Sequence, residues 1–513
     1  MEWCGVHTLL CTPGEGAAVS GPVERTARSS AAAEPARPPR RGRIVAALML
    51  AMALAAMDST IISTAVPQIV GDLGGLSVFS WLFSGYLLAV TVTLPVYGKL
   101  ADTFGRKPVL LAGIALFLLG SLLCAGAWNM ASLIAFRIVQ GLGGGAIQGT
   151  VQTVAADLYG LKERGRIQAA LSTVWAVSAI AGPLAGGFLA GYGDWRWIFL
   201  INLPVGAAAL VLILRHLHEN ITRTRHRIDW PGAVALFLAG GLLLLALVQG
   251  GIAWSWLSWQ SLTLFAASAV CTAGTVVIER RAAEPIIPGW VWRRRVIVSV
   301  NLALGALGLL MIAPTVFLPT YAQTVLGLGP VAAGFVLSVM TLSWPLSAAL
   351  SSRVYLRIGF RNSAVIGMSC ATAILAAFPL LPYGGPAWQP ALLMLLLGGA
   401  LGLFQLPLIV GVQSTVGWAE RATTTSSVLF CRQVGQSVGA AVFGAVANHT
   451  LVARLGAAPA SLTPPGGAAE PVRRAVAAAV DHVYVGAAAA AGAAVLVLLF
   501  VAPRRFPVLT DGD

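Results

Sequence analysis

Residues 98–108 have the sequence Gly98-Lys-Leu-Ala-Asp-Thr-Phe-Gly-Arg-Lys-Pro108, and long apolar stretches lie on both sides of them. The segment contains one acid, three cations and two glycines. The two glycines, the second of which is Gly105, allow a tight turn of the backbone. Asp102, Arg106 and Lys107 place charges of both signs beside helix ends, where helix dipoles and partner charges stabilise them. The pattern predicts a specific charged loop between two membrane helices.

The composition is that of a protein embedded in a lipid bilayer. Of its 513 residues, 57% are hydrophobic and 10% are charged, and a soluble protein of this size could not bury so much apolar surface. The apolar runs are continuous rather than alternating, which favours helices over barrel strands. We predict fourteen transmembrane helices, at residues 44–64, 76–97, 108–127, 131–156, 166–190, 197–215, 231–250, 258–279, 297–320, 330–350, 363–382, 389–414, 422–447 and 479–502.

The distribution of positive charge predicts the orientation of the chain. A net charge of +14 would suggest nucleic acid in a soluble protein. Here, however, an even number of spans places both termini on one side, and 27 of the 33 Lys and Arg residues lie on that side. The positive-inside rule predicts that this side is cytoplasmic. We therefore expect a lipid bilayer, and not nucleic acid, as the partner of these charges.

The predicted fold class is an all-α polytopic membrane protein with two six-helix bundles and two extra central helices. Transporter halves are often internal repeats, and Ser352–Arg361 aligns with the first ten residues of the quoted segment. It keeps a glycine and a cation, but Leu356 replaces the acid. The predicted domains are a disordered cytoplasmic tail (1–43), an N-terminal bundle (44–215), cytoplasmic loops with the two additional helices (216–296), a C-terminal bundle (297–502) and a cytoplasmic C-terminal tail (503–513).

Asp58 lies deep in the first predicted span. A charged carboxylate at the centre of a bilayer costs roughly 2.5–3.5 kcal/mol on insertion scales, so it must be paired, hydrated or protonated. Burial disfavours the charged form, and this carboxyl could therefore exchange a proton near neutral pH. The alternative is a structural acid that only forms hydrogen bonds.

Two arginines also lie within predicted spans. At 100° per residue, Gln148 and Gln152 fall on the same helix face as Arg137, which predicts a polar face toward the bundle interior. The alternative is that Arg137 extends to the outer surface. Arg432 lies in the middle of a later span, where it either lines a cavity or ties two helices together.

The fifth predicted span carries small residues at four-residue steps, a pattern typical of close helix contact. Within it, a proline frees a backbone carbonyl and can bend the helix. The residues of this segment that we take as a functional motif are Gly182, Pro183, Gly186 and Gly187.

Several of these segments resemble motifs of the major facilitator superfamily, and in particular of its 14-span drug:proton antiporter family. The opening segment resembles the loop between helices 2 and 3 (Gly-x-Leu-x-Asp-x-x-Gly-Arg-Lys). Met57–Pro67 resembles the first-helix motif Leu-Asp-x-Thr-Ile-Val-x-x-Ala-x-Pro, with Met57 in place of the Leu. Further matches are Phe136–Gly145 to the fourth-helix motif, Gly182–Gly187 to the exporter motif and Trp195–Pro204 to the entry of helix 6, and in the C-terminal half Tyr321–Pro330 and Arg432–Gly439 also resemble family patterns.

This resemblance implies a major facilitator fold and a proton-driven efflux antiporter. It implies that lipophilic drugs, antibiotics or related small molecules are exported across the cytoplasmic membrane by alternating access. Asp58 and Arg137 would couple proton movement to transport. Gly98, Asp102, Gly105, Arg106 and Lys107 would latch one conformation, and the glycine stripe of the fifth span would keep the route proton-tight.

The expected partners are a lipophilic small-molecule substrate, protons and the bilayer, and we expect the chain to function as a monomer. We expect no cofactor and no metal, with the proton gradient as the energy source. The alternatives are a natural-product exporter of narrow specificity and an uptake symporter. A non-transport receptor or enzyme is a third alternative, but the sequence has no His-Glu-x-x-His segment, so we do not expect an enzyme.

Overall fold

The computed structural model describes residues 41–62, 65–74, 81–159, 161–192, 194–219, 229–250, 254–282, 285–456 and 469–507. In these ranges the chain is helical and has no strand beyond one isolated bridge between Gly250 and Trp254. The helices are α1 Arg41–Ile61, α2 Val66–Leu73, α3 Trp81–Phe104, α4 Arg106–Ala125, α5 Met130–Leu158, α6 Leu161–Tyr192, α7 Trp197–Leu200, α8 Asn202–His216, α9 Trp230–Gln249, α10 Trp259–Arg281, α11 Arg295–Leu310, α12 Leu318–Thr324, α13 Pro330–Ile358, α14 Phe360–Ala377, α15 Trp388–Gln413, α16 Trp418–Leu455 and α17 Glu470–Phe500.

Twelve helices in the described part of the chain are long and apolar enough to cross a membrane. The two other predicted spans, 166–190 and 231–250, coincide with α6 and α9, and the apolar part of α9 is the shorter stretch Pro231–Leu247. The multi-pass, all-helical architecture is therefore confirmed. The predicted tails, 1–43 and 503–513, lie largely outside the described residues.

The segment that we predicted as a charged loop is instead two helix ends joined at one residue. Helix α3 continues through Asp102 to Phe104, and α4 begins at Arg106. Gly105 alone makes the turn, with a φ of 95° that side chains other than glycine rarely adopt. Hydropathy detects only the apolar part of a helix, whereas the helical hydrogen bonds continue through polar residues in the last turns. For this reason several other helices also extend beyond their predicted spans.

The helices pack as two groups with further contacts between them. In the first group α1 packs on α6 and α8, and α5 packs on α3 and α4; in the second, α13 packs on α15, α11 on α16 and α14 on α17. The groups meet where α3 crosses α16 and where α6 crosses α13, while α9 packs on α3 and α10. The end of the bundle where α1 begins and α3 ends is called the termini end below.

The two groups share the backbone feature that the internal alignment predicts. Gly359 has a φ of 88° and immediately precedes α14, as Gly105 precedes α4. The repeat is therefore preserved in the turn geometry, even though Leu356 has replaced the acid of the first copy.

Glycines bring α5 very close to its neighbours. A Cβ at Gly120 of α4 would lie 2.5 Å from the Cα of Gln140, and a Cβ at Gly141 would lie 2.6 Å from the carbonyl oxygen of Tyr86 on α3. Neither position has space for a larger residue. This close approach places the polar side chains of α5 within reach of α1, α3 and α4.

Candidate functional site

Asp58 and Arg137 form an ion pair inside the first group of helices. A guanidinium nitrogen (Nη1) of Arg137 lies 2.5 Å from a carboxylate oxygen (Oδ2) of Asp58. The two side chains are 0% and 1% exposed, respectively. Arg137 therefore points into the bundle and does not extend to the outer surface. Removing either partner would leave an uncompensated buried charge, which typically costs about 3–5 kcal/mol.

Two amides complete the surroundings of the Asp58 carboxylate. Its second oxygen accepts hydrogen bonds from Nε2 of Gln140 at 2.8 Å and from Nδ2 of Asn202 at 3.2 Å. Gln140 also accepts a hydrogen bond from Arg137 at 2.6 Å, and the hydroxyl of Ser121 contacts both amides. Both oxygens of the Asp58 side chain are therefore hydrogen-bonded, as is usual for buried polar groups.

Arg137 is also held by α3. Its guanidinium carbon lies 4.2 Å from the ring centroid of Tyr86, which is a cation–π contact. Its Nε donates to the carbonyl oxygen of Leu82 at 3.3 Å. The ion pair therefore joins α1, α3, α4, α5 and α8 through side chains. A change in the charge of Asp58 would alter contacts on all five helices.

The predicted residues Gln148 and Gln152 lie apart from this network. They follow Arg137 by 11 and 15 residues on α5, a distance of about 16 and 22 Å along the helix axis. Gln148 is half-buried and makes no hydrogen bond to any residue that the structure describes. Gln152 accepts a 2.5 Å hydrogen bond from Gln168. Sharing a predicted helix face with Arg137 therefore does not bring these two glutamines into its hydrogen-bond network.

Gln152 lines a narrow space between the two groups of helices. Gln413, Thr425, Val428 and Leu429 of the second group line the same space, and Gln413 donates to Thr425 at 3.1 Å. The lining residues are both polar and apolar, but the space is too narrow for a water molecule in the conformation observed, so a substrate could enter only if the two groups of helices separate.

Arg432 lies on α16 one turn beyond Val428 and Leu429, and therefore on the same helix face. It is partly exposed, and among the described residues it has neither a hydrogen-bond nor an ion-pair partner. Its position is about 21 Å along the helix from Trp418, well within the apolar part of the bundle. An unpaired cation at this depth is costly and is expected to face a cavity or a ligand.

A second network joins the two groups at the termini end. The carboxylate of Asp102 accepts hydrogen bonds from the backbone N–H groups of Ala422 and Thr423, at 3.0 and 2.6 Å. These two residues lie in the first turns of α16, where the helix dipole favours a negative charge. Arg106 is 3.0 Å from Asp102, and its guanidinium stacks 3.5 Å above the ring of Trp418 and donates to the carbonyl oxygen of that residue.

Asp157, at the end of α5, extends this network. It lies 3.0 Å from Arg106 of the first group and 2.5 Å from Arg421 of the second. Gly98 packs against Ser426, so that a Cβ at Gly98 would be 2.6 Å from the Cβ of that serine. These contacts fasten the two groups together at the termini end. We call the contacts of Asp102, Arg106, Asp157 and Arg421 the latch.

Lys107 makes its hydrogen bonds within the first group of helices. The backbone N–H groups of Arg106 and Lys107 donate to the carboxylate of Glu219 at 3.0 and 2.9 Å, and the Lys107 ammonium donates to the carbonyl oxygen of Leu214 at 3.0 Å. Lys107 therefore ties α4 to the end of α8 and makes no described contact with the second group.

On α6, Gly182 packs against α1, where a Cβ would lie 2.9 Å from the Cβ of Thr60. The Thr60 hydroxyl donates to the carbonyl oxygen of Ser178 at 2.9 Å. Gly186 is buried, whereas Pro183 and Gly187 lie in α6 but outside the residues whose side-chain environment is described.

Sequence reasoning missed part of each network. Gln140 lies three residues from Arg137 and therefore on its helix face, and Asn202 is a polar residue within an apolar span, so both carried a signal. Ser121 and Tyr86 carried none, since a serine and a tyrosine are ordinary residues of membrane helices. Their roles depend on the glycine-mediated approach of α5.

A comparison with known families decides what this architecture is. The family model described as Major Facilitator Superfamily matches residues 48–440, most of the chain. The chain belongs to the major facilitator superfamily. Members of this superfamily are transporters of small molecules rather than enzymes; they are driven by ion gradients and need no cofactor. In the described ranges no group of three metal-binding side chains is found.

Individual relatives agree with this membership. Multidrug resistance protein 3 of Bacillus subtilis (strain 168) is 32% identical over 413 residues, which cover 80% of each chain. The efflux pump dotC of Dothistroma septosporum (strain NZE10 / CBS 128990) is 33% identical over 413 residues, covering 77% of this chain and 69% of that protein.

Solved structures show the same fold at low sequence identity. The crystal structure of the human organic anion transporter MFSD10 (TETRAN) matches with a TM-score of 0.62 and 14% identity, covering 90% of this chain and 100% of that chain. The proton:xylose symporter XylE matches with a TM-score of 0.59 and 14% identity, over 91% of this chain and 97% of its own. These similarities confirm the major facilitator fold.

Proposed function

We propose that this protein is a proton-driven antiporter that exports lipophilic small molecules, including drugs and antibiotics, across the cytoplasmic membrane. The relatives whose names describe multidrug resistance and efflux support the direction of transport and the type of substrate. The single observation that carries the coupling is the buried Asp58–Arg137 ion pair with its two amide donors.

The proton acts on Asp58. A buried Arg137 needs a negative charge beside it, and Asp58 is the acid that it contacts in the conformation observed. Protonation would remove that charge and leave a buried guanidinium without a counter-ion, which is unfavourable in a bilayer. The helices around the pair must then rearrange. Proton binding and conformational change are therefore linked by the cost of an unpaired Arg137.

Helix α5 connects the proton site to the latch. It carries Arg137 near one end and Asp157 near the other, 20 residues apart, or about 30 Å along a continuous helix. A tilt or shift of α5 that follows loss of the ion pair would move Asp157 relative to Arg421. Opening of the latch would then expose the central space to the termini end.

Alternating access would proceed by rocking of the bundle 44–215 against the bundle 297–502, with the segment 216–296 supplying two more helices to give fourteen spans. The excess of arginine at the termini end supports its assignment to the cytoplasm. The latched conformation is then closed toward the cytoplasm. Gly182, Pro183, Gly186 and Gly187 would keep α6 tight against α1 during the cycle, and one chain would suffice for transport.

The substrate would bind in the space between the bundles. Gln148 and Gln152 offer amide groups from the first bundle, and Arg432 offers a cation from the second. Asp58 is inaccessible in the latched conformation, being 0% exposed, so a cationic drug would meet it only after a rearrangement. Arg432 would bind an electronegative group of the substrate in either conformation.

Transport by inverted membrane vesicles tests the proposal. Vesicles that contain the protein and carry an imposed proton gradient should accumulate a lipophilic fluorescent dye, and an uncoupler should abolish the accumulation. Dye efflux from the same vesicles under this gradient would instead identify an uptake symporter. If no dye moves although the protein is inserted, a panel of natural products tests for an exporter of narrow specificity.

A further inference from the structure

An open cavity of about 640 Å³ lies at the termini end of the second bundle, away from both networks described above. It is formed where α13 turns into α14 and where the chain leaves α17. Four arginines line it, and they come from both segments: Arg357, Arg361, Arg504 and Arg505. We call this cavity the arginine pocket.

All the described charged residues that line the arginine pocket are positive. Arg357, Arg504 and Arg505 are exposed, and none of them has a hydrogen-bond or ion-pair partner in the part of the chain that the structure describes. Arg361 is fixed, since it donates to the carbonyl oxygens of Leu498 and Leu499 at 2.7 and 2.6 Å. No acid occurs among the described residues that line the pocket. A cluster of unpaired positive charges of this kind attracts anions.

A comparison of the two copies of the internal repeat shows that the second copy lacks the acids that face the cations of the first. At the turn around Gly105, the cations and N–H groups of the first copy meet Asp102, Asp157 and Glu219. At the equivalent turn around Gly359, Leu356 stands where the first copy has Asp102. The first copy thus carries its own anions, whereas the second has kept only cations. An anion from outside the chain is the missing partner.

The surroundings of the pocket indicate where that anion comes from. Ile358 lines the pocket and is 40% exposed, and the adjacent ends of α13 and α17 expose Leu356 (47%) and Phe500 (81%). Large apolar side chains on the helix faces with arginines at the helix ends are the arrangement expected at a membrane interface. An acyl chain can contact the apolar side chains while a phosphate contacts the arginines.

We propose that the arginine pocket binds the phosphate of an anionic phospholipid from the leaflet at the termini end. The bound headgroup neutralises Arg357, Arg504 and Arg505 together. It thereby links the α13–α14 turn to the segment after α17, where Phe506 already packs 5.9 Å from the ring of Phe360. The lipid strengthens the second bundle at the position where the first bundle uses its own acids.

The test compares two triple variants of the full chain purified in detergent. R357Q/R504Q/R505Q removes the free cations of the pocket. R280Q/R281Q/R293Q removes three exposed arginines elsewhere at the same end and is the matched control. Binding of phosphatidylglycerol is measured by native mass spectrometry and by the rise in unfolding temperature, with phosphatidylcholine and inorganic phosphate as the other two probes.

We expect phosphatidylglycerol to bind the wild type and the control equally, and the pocket variant at least about tenfold more weakly, because three cations that would contact the phosphate are removed. Phosphatidylcholine should bind none of them tightly. Equal losses in both triple variants would overturn the proposal, as would a response to inorganic phosphate as large as that to phosphatidylglycerol. If the pocket variant does not fold, R505Q alone is compared with R293Q by mass spectrometry under the same criteria.

Discussion

Arg137 donates a 2.5 Å hydrogen bond to the carboxylate of Asp58, and both side chains are almost completely buried. The pair lies within the first bundle and does not bridge the two bundles. The contacts that do bridge them at the termini end form the latch, and α5 carries a residue of each network. We therefore propose that proton binding and gating take place at opposite ends of one helix.

Asn202→Leu tests the hydrogen bonds that surround Asp58. The substitution removes an amide that donates to the carboxylate, and a hydrogen bond to a charged group is worth about 1.5–3 kcal/mol. We expect proton-driven export to slow by about tenfold or more. Initial rates of dye export in inverted vesicles measure the loss. Asn301→Leu, at a similarly buried asparagine of the second bundle, should leave the rate nearly unchanged; an equal loss in this control would contradict the assignment.

Asp102→Asn tests the latch. The substitution replaces a carboxylate that accepts two backbone N–H groups and contacts Arg106. Hydrogen bonds to a charged group are worth about 1.5–3 kcal/mol, so we expect the closed conformation to lose at least about tenfold in population.

The readout is oxidative cross-linking of Gly165→Cys with Ser352→Cys in a background without native cysteines. These positions are in contact between α6 and α13 at the termini end, where a Cβ at Gly165 would lie 2.9 Å from the Cβ of Ser352. Cross-linking should fall in Asp102→Asn but not in Arg353→Gln, an exposed cation at the same end. Unchanged cross-linking in Asp102→Asn would show that these contacts do not hold the closed state.

Arg432→Gln tests the role of the unpaired cation of the second bundle. We expect export of lipophilic anions to weaken by about tenfold or more, because a charge-assisted hydrogen bond contributes about 1.5–3 kcal/mol. Lipophilic cations should be exported at least as well as before, since a repulsive charge is removed. Concentration-dependent transport of a matched anionic and cationic dye pair measures this selectivity, and Arg432→Lys should retain most of it. An equal loss for both dyes would indicate a structural role instead.

Asp72→Asn tests the hydrogen bonds that join α2 to Trp195 and Arg196, at the end of the first bundle opposite the termini end. Hydrogen bonds from Trp195 and Arg196, both at 3.0 Å, lower the pKa of Asp72 below its usual value. A carboxyl with a lower pKa in the folded chain stabilises the fold above its unfolded pKa, and that contribution is lost as the pH falls through the folded value. The difference in unfolding temperature between wild type and Asp72→Asn should therefore be fully present at neutral pH, begin to shrink below about pH 4 and disappear only below the lowered pKa of the folded chain. A difference that grows on acidification would contradict this.

Much of the fold follows from hydropathy alone. An apolar run of about 20 residues can satisfy its backbone only as a helix in a bilayer, so the positions of the helices follow from composition. Their ends do not, because helical hydrogen bonding continues into polar residues. This is why the segment around Gly105, predicted as a loop, is a single-residue turn between two helices.

The candidate site residues were predictable in proportion to the cost of burying them in a membrane. Asp58, Arg137 and Arg432 stand out because charges in apolar spans need a reason. The partners Ser121 and Tyr86 do not, since serine and tyrosine are ordinary residues of membrane helices and their contacts form only where α4 and α3 approach α5. Likewise, the sequence separation of Asp157 and Arg421 gave no sign that they form a contact between the bundles.

The central claim is that Asp58 couples proton movement to export. It is tested most directly by measuring how many protons move per substrate in liposomes that contain the purified protein. A pH-sensitive dye reports proton flux while a fluorescent substrate reports transport, in the wild type, in Asp58→Asn and in Asp194→Asn, an exposed acid outside the network. The account predicts that substrate and protons move in opposite directions in the wild type and in Asp194→Asn, and that Asp58→Asn moves substrate only down its own gradient without proton flux. Proton-coupled export that persists in Asp58→Asn would contradict it.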